Sequence, residues 1–132
     1  MLLFPRKADQ VTTKRRGDAA EAVALAHLQA HGLRLLAANF RTPGRGGGEI
    51  DLVMRAADGT VVFVEVRQRS SARFGGAGAS ISAAKQRRII FAARHYLMQL
   101  STTPPCRFDV VLVQGTAEEQ ALEWLQGAFD AA

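Results

Sequence analysis

Two acids interrupt a pair of apolar runs near the middle of the chain. Residues 46–69 read GGGEIDLVMRAADGTVVFVEVRQR, with Asp51 in the first apolar run and Glu65 in the second. Burying an ionised carboxylate without a partner is costly. Either these acids face solvent or something cationic lies between them. The loop register decides which of these is open to them. A two-residue turn at Asp58-Gly59 would pair Asp51 with Val66 and send Glu65 to the other face. A three-residue loop, Ala57-Asp58-Gly59, with Gly59 in the left-handed region, gives a bulged hairpin with Asp51 opposite Glu65. The second register is expected, because the first strands each acid alone in an apolar run.

Carboxylates at cross-strand distance repel unless a cation or a proton intervenes. Mg²⁺ suits such a pair, since it takes oxygen ligands and completes its shell with water and substrate phosphate. The carbonyl of Val66 could add a ligand. The competing reading is a solvated hairpin face closed by an ion pair from Arg67 to Asp51 or Glu65.

The elements that must position this hairpin follow from periodicity and punctuation. Residues 1–11 read as a flexible basic arm ahead of a single domain, 12–132. A helix is expected from about Thr13 to His31, closed by Gly32. Leu25 and Leu28 set its inward stripe, and helical spacing carries that stripe back to Glu21 and Asp18. Glu21 therefore has two readings, a capping-box partner of Asp18 or a third acid aimed at the core. Strands are expected at 32–41, 49–55 and 60–68. Residues 70–80 are glycine-rich and read as irregular. A second helix runs from a Ser82 cap to about Leu100, with strands at 106–113 and 121–125. The order α-β-β-β-α-β-β, with a long helix between the third and fourth strands, implies a right-handed crossover and a mixed sheet.

Charge is segregated along the chain. The net charge is +5, and residues 66–108 hold eight basic side chains and no acid, whereas residues 109–132 hold five acids and no Lys or Arg. Such a distribution suits a polyanion, nucleic acid first, against the alternative of an ordinary solvated face. Lys85, Gln86, Arg87 and Arg88 crowd the start of the second helix, where the dipole disfavours cations unless an anion binds. Lys85 precedes Ile89 by four residues and so points inward. The single cysteine, Cys106, excludes an internal disulfide and reads as packing in a cytoplasmic protein. His27, His31 and His95 lack metal-ligand spacing.

These residues resemble a known pattern. Asp51, thirteen intervening residues and Glu65-Val66-Arg67 are similar to the signature of the PD-(D/E)xK nuclease superfamily. More narrowly, Gly17 with Glu21, Asn39 with Arg41, Gly48-Glu-Ile-Asp-Leu52, Phe63-Val-Glu-Val66, Lys85 and Arg107-Phe-Asp-Val110 resemble the YraN-like family of bacterial proteins. The resemblance implies a restriction-endonuclease-like α/β fold, a mixed sheet flanked by helices, related to Holliday-junction resolvases. It implies that Asp51 and Glu65 bind Mg²⁺ or Mn²⁺, that Glu21 supports them, and that Lys85 and Gln86 approach the scissile phosphate. Arg67 stands where the superfamily has lysine. Arginine stays charged and cannot act as a base, though it can stabilise a phosphate's growing charge.

The expected function is a metal-dependent endonuclease, or Holliday-junction-resolvase-like protein, hydrolysing phosphodiester bonds in structured DNA. Arg69, Arg73, Arg87 and Arg88 would hold flanking phosphates, and paired sites would call for a homodimer. The alternative is a non-catalytic nucleic-acid-binding module with a degenerate site. A third reading is a protein-interaction scaffold using Glu118, Glu119, Glu123 and an exposed Trp124 or Phe129.

Overall fold

A computed structural model describes residues 5–44, 47–69, 81–115 and 120–131. The elements run α1 (Pro5–Ala30), β1 (Arg34–Arg41), β2 (Glu49–Arg55), β3 (Val61–Arg69), α2 (Ala83–Leu97), β4 (Cys106–Gly115) and β5 (Gln120–Phe129). The order α-β-β-β-α-β-β is the expected one. All five strands form one sheet in sequential order. Only β3 and β4 are parallel, which is the pairing that the α2 crossover permits. The two helices cover opposite faces. Ala20, Ala24 and Leu28 of α1 pack on Leu52, Met54, Val62, Val64, Val111 and Val113. Ile89, Ala92 and Ala93 of α2 pack on Val53, Val61, Phe63 and Phe108. Strand β3 thus alternates between two buried faces, which is why VVFV reads as unbroken apolar sequence.

Local signals set the element ends. Helix α1 closes in a Schellman motif, with Gly32 N donating to Gln29 O at 3.0 Å and Leu33 N to Leu28 O at 3.1 Å. Leu28 and Leu33 share one apolar cluster, as that motif favours. Ser82 caps α2 by accepting from Lys85 N at 3.1 Å. In the hairpin, Ala56 N donates to Thr60 O at 2.9 Å, enclosing a three-residue loop, and Gly59 has φ 92°. A side chain there would be strained.

Three boundaries differ from expectation. Helix α1 begins at Pro5, so residues 5–11, expected as an arm, are helical. Proline favours the first helical turn, and no glycine or further proline stops the helix before Gly17. The Asp18–Glu21 pair therefore lies inside the helix and forms no capping box. Helix α2 stops at Leu97, and its last turn tightens through Gln99 N to Tyr96 O and Leu100 N to Leu97 O. Strand β5 spans ten residues, well past the short strand expected at 121–125.

A buried acid explains that length. Asp109 is fully buried in β4. Its carboxylate accepts from Arg107 Nε at 3.0 Å, Trp124 Nε1 at 2.9 Å and Gly127 N at 3.0 Å. The β4–β5 register shifts between Phe108 and Val110, and the Asp109 bonds stitch β5 across that break. Phe129 stacks on Phe108 beyond it, with centroids 4.9 Å apart. Trp124 and Phe129 are therefore half-buried parts of the fold, and neither is the fully exposed aromatic expected of a scaffold. Cys106, expected to pack, is exposed at the start of β4.

Removing one partner from such a network leaves the other groups buried and unsatisfied. Asp109→Ala is expected to lower the unfolding free energy by roughly 3 kcal/mol or more, read by urea denaturation. It should also shift the emission of Trp124, the only tryptophan.

Candidate functional site

The β2–β3 ladder runs Arg55↔Val61, Met54↔Val62, Val53↔Phe63 and Leu52↔Val64. One step further, this register sets Asp51 opposite Glu65, as the three-residue loop requires. There the backbone pairing gives way to a side chain: Asp51 Oδ2 accepts the Val66 N–H at 2.8 Å. The strands part at this point, and the carboxylate occupies the fork. On the other side of β2 the ladder with β1 also skips a pair, Asn39 with Asp51. Asn39 takes the left-handed conformation, φ 53°, which asparagine tolerates better than most residues. Side-chain alternation breaks with it, since Ile50 joins Val53 on the α2 face although Leu52 lies on the α1 face. Asp51 thus sits where the two helical layers meet.

Groups from both layers converge on it. From α2, Lys85 Nζ lies 3.5 Å from Glu65 Oε2. From α1, Glu21 is near enough for the charge of Asp51 to raise its pKa, alongside a larger effect of burial, while a hydrogen bond from Asn39 opposes both. Glu65 is buried. Burial first, and the Asp51 charge second, push its carboxyl up to about 7 against the pull of Lys85. Asp51 is also raised by burial, with the Val66 N–H opposing the shift. Each carboxylate bears on the titration of the other, so a proton or a cation between them relieves their repulsion. Two carboxylates that resist simultaneous ionisation could hold a hard divalent cation between them. Among the described residues no three His, Cys, Asp or Glu side chains form a metal-binding group, so water or substrate would complete the shell.

The surroundings are cationic. A surface cavity of about 470 Å³ beside Glu65 is lined by Val66, Arg67, Gln68, Ser82, Lys85 and Arg88. A second, of about 370 Å³, shares Lys85 and Arg88 and reaches Arg41, Thr42, Gly47, Gly48 and Glu49. Sequence reasoning missed this β1–β2 wall. The signal was the glycine run itself. A Cβ on Gly48 would stand 2.0 Å from the Arg88 carbonyl oxygen, so only glycine lets the loop press against α2. Thr42 holds the loop shut, accepting from Gly48 N at 2.9 Å.

The site residues expected from sequence divide into three groups. Glu21, Asp51, Glu65, Arg67 and Lys85 converge on one end of the sheet. Val66, expected to offer a carbonyl, contributes its N–H to Asp51. Gln86 is turned away, donating from Nε2 to Ile81 O at 2.9 Å, and Arg87 lines a separate cavity with Phe91 and Arg94. Arg88 flanks the carboxylates. Arg73 lies outside the described residues, as does the rest of the 70–80 loop. Arg69 ends β3, its side chain being outside the described part. Glu118 and Glu119 also lie outside.

Fold and site together define a mixed α/β protein with a paired-carboxylate centre between its helical layers. The chain matches the model of the Uncharacterised protein family UPF0102 over residues 20–113, and it belongs to that family. It is 69% identical over 127 residues to a UPF0102 protein of Polaromonas naphthalenivorans, covering 92% of this chain and 83% of that one. A UPF0102 protein of Albidiferax ferrireducens is 66% identical over 131 residues, covering 98% and 99% of the two chains. Among the described residues no helix is long and apolar enough to cross a membrane.

The raised pKa of Glu65 has a definite sign. Its stabilising contribution is full below the ordinary carboxylate pKa and is lost as pH rises through about 7. In EDTA the parent should lose stability between about pH 5 and 8, whereas Glu65→Gln, neutral at that position, should lose less. The gap at pH 8 is expected to be about 1–3 kcal/mol, measured by urea unfolding. Adding Mg²⁺ should stabilise the parent and leave Glu65→Gln unmoved.

Proposed function

We propose that this protein is a divalent-metal-dependent phosphodiesterase of the PD-(D/E)xK type that acts on structured nucleic acid. One observation carries the reading: Asp51 and Glu65 meet at a strand fork with Lys85 facing Glu65, and Glu65 and Lys85 line a cavity shared with Arg67 and Arg88. Asp51 and Glu65 would hold Mg²⁺ or Mn²⁺. Bound there, the ion supplies Lewis-acid polarisation of the phosphate and acidifies water for attack. The chain's own groups do the rest. Lys85, now held by Glu65, is positioned to swing its ammonium to a phosphate oxygen. Arg67, on the same face of β3 two residues beyond Glu65, can neutralise charge developing on the phosphorus oxygens. It takes no proton. Arg88 and Arg41 would anchor the backbone on either side.

A specific observation favours the second reading, a binding module with a spent active site. Arg67 replaces the lysine of the superfamily signature, so the pattern of charge is kept while a group able to exchange a proton is lost.

Cleavage of labelled duplex, flap and four-way-junction DNA, with Mg²⁺ or Mn²⁺, separates the two. The parent is expected to cleave at least one branched substrate, and the Asp51→Ala, Glu65→Ala double variant none. Lys85→Met should slow cleavage by about 10²-fold. Binding by both proteins, with cleavage by neither, would establish the binding module instead. The double variant should then bind more tightly, having shed two acids from a cationic groove.

A further inference from the structure

Helix α2 carries a second constellation that the carboxylate site does not use. The helix contains Lys85, Arg87, Arg88 and Arg94 and no acid. Its inward stripe, Ile89, Ala92 and Ala93, is buried, yet Phe91 on the outer side is 43% exposed. A lone exposed apolar side chain is ordinary. Phe91 differs in its setting. Helical spacing places Arg87 and Arg88 four and three residues before it, and Arg94 and His95 three and four after, all neighbours on one surface. The His95 ring packs against it edge-on, with centroids 4.6 Å apart. Phe91 also lines a surface cavity of about 450 Å³, together with Arg87, Ile90, Arg94 and Asp130.

We infer that this cavity is a subsite for an unpaired nucleotide of the strand bound at the carboxylate site. The base stacks on Phe91, Arg87 and Arg94 take the adjoining phosphates, and Asp130 accepts a hydrogen bond from the base. Each part matches a requirement of single-strand binding, which combines an aromatic platform with a cationic track. The guanidinium groups of Arg87 and Arg94 beside the ring favour a polyanion over a purely apolar protein surface. The cavity is separate from the carboxylate site but lies on the same helix, and Arg88, which lines both carboxylate-side cavities, is one turn before Phe91. Lys85 and Phe91 are six residues apart, about 9 Å along the helix axis. The two side chains also point about 120° apart around the axis, so a strand running from one to the other spans several nucleotides. A base can reach Phe91 only if it is unpaired, so the inference narrows the substrate class to strands that open beside the cut: flaps, forks, junction arms or single strands. It rests on the nucleic-acid reading above.

The test is direct binding in EDTA, which prevents cleavage. The full chain and its Phe91→Ala and Phe91→Trp variants are titrated with an oligothymidylate, an abasic strand of equal length and a duplex. The parent should prefer the oligothymidylate over the abasic strand by about tenfold. Phe91→Ala should erase that preference while leaving duplex affinity unchanged, and Phe91→Trp should keep it. Phe91→Trp emission should be quenched by the oligothymidylate and not by the abasic strand, with Trp124 as a constant background. Because the side chain is exposed, these variants should melt like the parent. A Phe91→Ala protein that retains the full base preference, or a Phe91→Trp protein without base-dependent quenching, overturns the subsite and leaves the nucleic-acid reading standing. A parent that binds none of the three strands overturns both.

Discussion

The hydrogen bond from the Val66 amide to the Asp51 carboxylate is the contact on which the rest of the site depends. A backbone N–H buried in a sheet must find an acceptor. Where β2 and β3 part, the usual carbonyl is absent, and a side-chain oxygen takes its place. This lets the sheet open into a fork without an orphaned amide. It also fixes one carboxylate oxygen at a known spot, next to Glu65. The acid is thus a structural member of the sheet as well as a candidate ligand, and its charge is tolerated because a bond to an ionised acceptor is strong.

That position has electrostatic consequences in every direction. Glu65 cannot ionise freely beside Asp51, and Lys85 recovers only part of the cost. The cation in turn answers an oddity of α2. A lysine in the first turn opposes the helix dipole, but an ion pair with a buried acid offsets that penalty. The glycine loop sets the distance at which this happens, because Gly48 lies flush against the Arg88 carbonyl. A larger residue would push the β1–β2 wall away from the helix and widen the gap that the cations span. On the opposite face, Asp109 shows the same economy with a different outcome. It is a buried acid too, but its oxygens are taken up by Arg107, Trp124 and Gly127, and it has no capacity left for a ligand. Two buried acids of one sheet therefore part company by their partners alone.

Membership of UPF0102 fixes the family of this chain, and the chemistry of its residues carries the functional reading. Arg67 is the residue on which that reading turns. As a permanent cation it serves phosphate binding as well as lysine does, and in a bidentate site better. As a proton carrier it serves not at all. On the proposed reading, proton removal would fall to water on an ion held by the carboxylates or to Lys85 in its neutral form, and the Lys85 ammonium lies 3.5 Å from Glu65 Oε2.

Much of this was legible in the sequence for reasons of local physics. Turn length and Gly59 set the hairpin register, and register set Asp51 against Glu65. Ser82 and Gly32 marked helix ends by capping chemistry, and a long connection forced the parallel β3–β4 pair. What the sequence left open was every question that needs a second element to answer. Glu21 had two readings because its partner, Asn39, lies on another strand whose left-handed residue no periodicity announces. Gln86 and Lys85 are neighbours in sequence, and only packing decided that one turns to Ile81 and the other to Glu65. The role of Asp109 and the full length of β5 depend on bonds spanning fifteen and eighteen residues. Periodicity and capping are short-range and can be read along the chain. The partner of a buried charge is chosen across it, by whichever groups the closed sheet brings within a hydrogen bond.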